Sequence, residues 1–146
     1  MFVVALTCLA LIFLTTFIHY QVLNRLKLLT YWTSKESNLF LFILILSVFA
    51  THILQISLYA SSLYVLIDSF QLGGLNGISD FSWEACFLFS AEIFTSLSFG
   101  DVTTFGPVRL MSGIEALNGL LLIAWSASFI FLSVSKFQKK NTSSDN

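Results

Sequence analysis

Long uncharged apolar blocks alternate with short polar stretches along this chain. Met1–Ile18 has no charged side chain, and about 20 such residues cross the hydrocarbon core of a bilayer as a helix. Leu39–Ile67 is a longer uncharged block; at ~1.5 Å per residue it exceeds ~40 Å and must tilt or protrude. Phe81–Leu97 is shorter and carries Glu84 and Glu92, a poor composition for a span facing lipid. Val108–Val134 is a third good span, interrupted by Glu115 and Asn118. The pattern predicts an all-α membrane protein with three crossing helices and one short apolar segment that does not cross. The boundaries expected are a first helix over 1–20, a cytoplasmic linker over 21–38, a membrane domain over 39–135 and a tail over 136–146. The tail, ending "KKNTSSDN", is polar enough to be expected to be disordered. No internal repeat or second domain stands out.

Composition supports the membrane reading. The chain is 56% hydrophobic and 10% charged, where soluble domains carry about 25% charged residues. The first block lacks the basic start and small-residue cleavage site of a secretory leader and is expected to be retained as a helix. Cys8 and Cys86 both lie in apolar surroundings, as packed thiols do. There is no nucleotide motif and no Arg-rich helix, so neither an enzyme, a cofactor, a nucleic-acid partner nor a voltage sensor is expected.

The distribution of charge sets the topology. Arg25, Lys27 and Lys35 lie between the first two blocks, and Lys136, Lys139 and Lys140 follow the last. Basic residues favour the cytoplasmic side, which places the N-terminus and everything from Asp68 to Arg109 outside and the C-terminus inside a cell membrane, whether inner or plasma. Phe81–Leu97 then has to dip in from the outside and return. Backbone without helical bonding survives at membrane depth only where protein covers it or where it lines water. The run "TSLSFGD", Thr95–Asp101, is therefore expected to line a water-filled path.

Outer helix, re-entrant helix, polar run and inner helix together resemble the pore of tetrameric potassium channels. The filter of that family reads T-x-G-[YF]-G-D, usually after another Thr, and Thr95-Ser96-Leu97-Ser98-Phe99-Gly100-Asp101 aligns with it without gaps. Gly100-Asp101-Val102, Arg109 and Glu115-Ala116-Leu117-Asn118-Gly119 resemble pieces of the small bacterial members. The likeness covers roughly 39–134 and leaves the first helix outside the shared module. It implies an outer helix over 39–67, a pore helix over 82–96, a filter over 96–101 and an inner helix over 107–135. It also implies a homotetramer, because one chain supplies one pore loop and symmetry closes the ring.

By this resemblance, K+ or Na+ would be held by carbonyls of Ser96, Leu97, Ser98 and Phe99, with Gly100 completing the filter. The family's first filter glycine is Ser98 here, and its Thr is Ser96. A serine forced to positive φ costs ~1–2 kcal/mol, so either the Ser98 carbonyl is re-aimed or surrounding packing holds it in place, and potassium selectivity is expected to be reduced. Glu92 and Asp101 are expected to share a proton behind the filter, since two close carboxyls do not both ionise cheaply; a competing reading bonds Glu92 to nearby backbone amides. Asn118 is expected to line the cavity, and Glu115 either to brace the pore helix from behind or, the favoured reading, to make a structural interhelical hydrogen bond. Gly119 is expected to be either a hinge or a site of close helix packing.

Other residues are read from position alone. Ser82 is placed to cap the pore helix, with Glu84 in its first turn. Phe87, Phe89 and Phe94 are expected to form an aromatic cuff around the filter or to pack ordinarily. Five acidic residues (Asp68, Asp80, Glu84, Glu92, Asp101) face one Arg between Asp68 and Arg109, a balance that concentrates cations at the outer mouth. His52, Gln55 and Tyr59 follow helical spacing and should share a face, which is expected to contact the first helix or a neighbouring chain rather than to act as a pH sensor. The functional expectation is a passive cation channel, with an ion-uptake subunit needing a regulatory partner and a non-conducting scaffold as alternatives.

Overall fold

A computed structural model describes residues 1–32 and 38–144. Three long helices form the bundle: α1 (Phe2–Trp32), α2 (Asn38–Asp68) and α4 (Arg109–Ser144). The short helix α3 (Trp83–Thr95) lies between α2 and α4 in sequence. Two three-residue strands, β1 (Gly74–Asn76) and β2 (Thr103–Phe105), pair antiparallel with Leu75 opposite Thr104. A 3-10 turn over Gly106–Val108 leads into α4, with Pro107 in its first turn, where a missing N–H costs nothing.

The spans are Phe2–Leu28, Leu41–Asp68 and Gly106–Ser135, each long and apolar enough to cross a membrane. Helices that are apolar all round suit lipid, where backbone groups find no water and must bond within the helix. Hydroxyl groups in these spans follow the same rule. Thr15 donates to the Leu11 carbonyl at 2.7 Å, Thr51 to Ser47 at 2.7 Å and Ser133 to Phe129 at 2.8 Å. Each closes its polar group onto its own helix one turn back.

Packing fixes the order of levels along the bundle. Val4, Cys8 and Leu11 of α1 pack with Leu63, Leu66 and Ile67 of α2, with Cys86 and Phe89 of α3, and with Val108 of the 3-10 turn and Met111 of α4. At the opposite end Leu23 and Leu26 meet Val48, Phe129 and Ile130. Thus α1 runs parallel to α4 and antiparallel to α2. The two strands and α3 lie toward the end that also holds the start of α1.

The outer and short helices match the expected bounds to within one residue. Two expectations differ. The first helix does not stop at residue 20 but continues to Trp32, because Gln21–Trp32 contains no Gly or Pro to end it. The tail is helical through Ser144 rather than disordered, continuing α4 without a breaker.

Gly119 settles as a packing residue. A Cβ there would overlap the carbonyl of Phe94, where the end of α3 lies against α4. Gly119→Ala is expected to lower stability by about 1–3 kcal/mol, the cost of overpacking a close contact. Unfolding of the variant in detergent, followed by circular dichroism, checks this; an unchanged transition would mean that α3 does not press on α4 there.

Candidate functional site

The site is built by a helix that enters the bundle and a segment that leaves it. At its start, the Ser82 hydroxyl accepts the Ala85 amide at 3.2 Å, the expected cap. Trp83 Nε1 donates to Ser61 Oγ at 3.1 Å, and Phe81 stacks on Tyr64. These tie the start of α3 to the end of α2 that lies near the strands. Hydrogen bonds from its own amide and from the Ser82 hydroxyl hold the Glu84 carboxyl below its ordinary pKa. At the other end, Phe94 is buried against Gly119 and its ring lies 5.7 Å from that of His52. From Ser61 to His52, α2 rises about 13 Å. The C-terminal end of α3 therefore stops deep within the bundle.

Ser96 ends α3 in the left-handed region, φ 57°, and its amide bonds back to the Glu92 and Ile93 carbonyls. The Leu97 amide also returns to the Glu92 carbonyl, at 3.0 Å. The chain then reverses and climbs back. A Cβ at Gly77 (φ 91°) would overlap the Asp101 carbonyl, so the α2–α3 linker lies directly on the far end of the segment. Residues Thr95 to Asp101 are all exposed. Leu97 is 70% exposed and Phe99 78%, an unusual state for large apolar side chains anchored at both ends.

The expected filter residues Ser96, Leu97, Ser98, Phe99 and Gly100 thus share one exposed stretch, beside Asp101. Within it, the strain expected at Ser98 lies elsewhere. Positive φ occurs at Ser96 and at Gly100 (φ 81°), and Ser98 is not among the left-handed residues. The reason is local: the helix-ending turn at Ser96 takes up the reversal before Ser98 is reached.

The two carboxylates also differ from expectation. Glu92 Oε2 accepts the Phe99 amide at 3.5 Å, and Asp101 Oδ1 accepts the Val102 amide at 3.0 Å. No hydrogen bond joins Glu92 to Asp101 among the described residues, so the shared-proton arrangement is not formed. Glu92 braces the segment by the competing route, through a backbone amide.

Asn118 does not line an open cavity. It is buried, and its Nδ2 donates to Thr15 Oγ1 at 2.8 Å and to Tyr59 OH at 3.0 Å. Helix α4 turns this side chain toward α1 and α2. Glu115 is 1% exposed on α4 beside Ser90 of α3, and among the described residues Ser90 Oγ and Glu115 Oε1 have no hydrogen-bond partner. The aromatic cuff is divided: Phe89 and Phe94 are buried in the core, while Phe87 stacks on Trp83 at 5.3 Å. Ordinary packing describes these rings.

His52, Gln55 and Tyr59 do share a face, and it meets α1 and α4. Their partners Thr15, His19 and Ser126 were missed in the sequence. The signal was there in spacing: Thr15 and His19 stand one turn apart, and Asn118 and Ser126 two turns apart, on otherwise apolar spans. The strand pair was missed too, since three residues per strand leave no alternation to read. Among the described residues no group of three or more His, Cys, Asp or Glu is placed to hold a metal ion. Comparison with family models, with curated proteins and with solved structures returned no match.

The backbone at Ser96 gives a direct test. A left-handed residue other than glycine costs ~1–2 kcal/mol, so Ser96→Gly should stabilise the fold by about 1 kcal/mol after glycine's own entropy cost. Ser98→Gly, with no such strain to relieve, should be neutral or destabilising. Unfolding midpoints of the two variants in one detergent check the difference; equal shifts would refute the assignment of strain to Ser96.

Proposed function

We propose that this protein is a passive cation channel, potassium-conducting with reduced preference over sodium, in which four copies each contribute one Thr95–Asp101 segment to a central filter. The observation that carries the reading is the path of that segment: α3 ends deep in an apolar bundle, and seven exposed residues return from it. Exposed irregular backbone at such depth is stable only where it lines water or is covered by protein. A ring of copies provides both, with carbonyls facing the axis and Leu97 and Phe99 covered by neighbours.

The chemistry agrees with cation passage. The C-terminal end of α3 carries partial negative charge and points into the bundle. Carbonyls and hydroxyls of Ser96 and Ser98 replace water around a monovalent cation. Because Ser98 stays outside the left-handed region, its carbonyl is aimed differently from that of a glycine at positive φ, which favours a looser filter. Acidic residues on the linkers concentrate cations at the mouth, which in this reading faces outward from a cell membrane, with the N-terminus outside and the C-terminus in the cytoplasm. The pore needs no resident cofactor, and the permeant ions are K+ and, in part, Na+.

Purified protein in planar bilayers under potassium and sodium gradients tests the proposal. Cation current is expected, and Ser98→Gly is expected to lower the sodium permeability relative to potassium. A wild type that already rejects sodium as strongly as the variant would remove the role given to Ser98. No flux in proteoliposomes would favour a scaffold, and saturable transport only with an added partner would favour an uptake subunit. Glu92→Ala removes the acceptor for the Phe99 amide and should change open probability; an unchanged current and open probability would remove the bracing role of Glu92.

A further inference from the structure

Midway along the bundle, three buried side chains and the half-buried His52, from three helices, close a hydrogen-bonded ring. His19 of α1 is 1% exposed, Gln55 of α2 is 0% and Ser126 of α4 is 3%; His52 of α2 completes the set. The contacts run His19 Nε2 to Ser126 Oγ at 3.2 Å, Ser126 Oγ to His52 Nε2 at 3.1 Å, His52 Nδ1 to Gln55 Oε1 at 3.0 Å and Gln55 Nε2 to His19 Nδ1 at 3.2 Å.

Proton positions follow from one fixed point. Gln55 Nε2 also lies 3.2 Å from the Thr15 backbone carbonyl, which only accepts. The amide nitrogen must therefore face α1 and the amide oxygen must face His52. Gln55 donates to His19 Nδ1, so His19 carries its proton on Nε2 and donates it to Ser126. The single Ser126 proton is then left for His52 Nε2. His52 carries its own proton on Nδ1 and gives it to Gln55 Oε1. Each bond has one donor and one acceptor, and the ring is complete only when both imidazoles are neutral and in opposite tautomers.

An added proton has no place in this ring. On His19 it sits at Nδ1, facing the Gln55 amide protons. On His52 it sits at Nε2 and leaves the Ser126 proton without its acceptor. The surroundings offer no compensation: α4 presents the Trp125 ring to His19 at 5.3 Å, α3 presents the Phe94 ring to His52 at 5.7 Å, and the two imidazoles lie 5.5 Å apart. The titratable group that acts on His19 is His52 of α2. Glu115 of α4 acts instead on Tyr59 of α2 and Cys8 of α1, beyond the neutral Thr15–Asn118 link. We propose that the ring is a proton-sensitive latch: it holds α1 against α2 and α4 while both imidazoles are neutral, and protonation of His19, whose two ring nitrogens make the bonds from α1, releases α1. The latch does not depend on ion conduction.

The chain contains two His residues, so full-length protein labelled with 15N-histidine in nanodiscs gives two assignable ring spectra. At pH 8 one imidazole is expected as the Nε2–H tautomer and the other as Nδ1–H; two identical tautomers would overturn the proposal. Spin labels at Phe13→Cys and Phe131→Cys, both exposed positions on α1 and α4, read the separation of the helices. The distance distribution is expected to be narrow at pH 8, and to broaden and move outward at pH 3.5. Ser126→Ala, which keeps both imidazoles but opens the ring, should broaden it already at pH 8. A wild-type distribution that is the same at both pH values would overturn the latch, whatever the behaviour of the Ser126 variant.

Discussion

The contact between the Phe94 carbonyl and the bare Cα of Gly119 sets the depth of everything around the site. A helix that enters a bundle from one end needs a place to stop, and side chains normally hold it away. Here the absence of one Cβ lets the end of α3 lie against α4. The Phe94 ring then packs under His52, and Ser96 reverses the chain at the level where α3 stops. With a bulkier residue at position 119, the turn at Ser96 would be pushed away from α4 and the segment after it displaced.

A second constraint is the scarcity of water inside the spans. Most hydroxyl groups answer it locally, by bonding one turn back along their own helix. The groups that bond across helices are gathered where three helices meet. Asn118, Thr15 and Tyr59 form one cluster, and the two imidazoles with Gln55 and Ser126 form the next. Polar contacts of this kind contribute modestly to helix association in lipid, of the order of 1 kcal/mol each. Their larger effect is on register, because sliding α1 by one turn would leave several buried donors unpaired at once.

Much of the fold could be read from the chain because membranes make hydropathy informative. Uncharged blocks gave α2 near its observed bounds and the start of α4, and Ser82 with Glu84 marked the start of α3. Readings failed where a side chain had a choice of neighbours. Asn118 is polar on an apolar helix whichever way it points, and only packing shows that it faces α1. Glu92 and Asp101 are close in sequence terms, yet each found a backbone amide before it found the other. Ser98 stands where the potassium-channel filter it resembles would have a glycine, but φ is set by the turn that precedes it, and that turn had no signature beyond a serine.

The pairing of β1 with β2 has a consequence for how copies of this chain would come together. The ladder, together with the close approach of Gly77 to Asp101, joins the far end of the return segment to the α2–α3 linker of the same chain. Its near end is fixed by the last turn of α3. The entropy of closing this loop is therefore spent while the single chain folds, and little ordering is left to oppose association. Neighbouring copies would meet as preshaped bodies, and exchange between them would not require any copy to unfold.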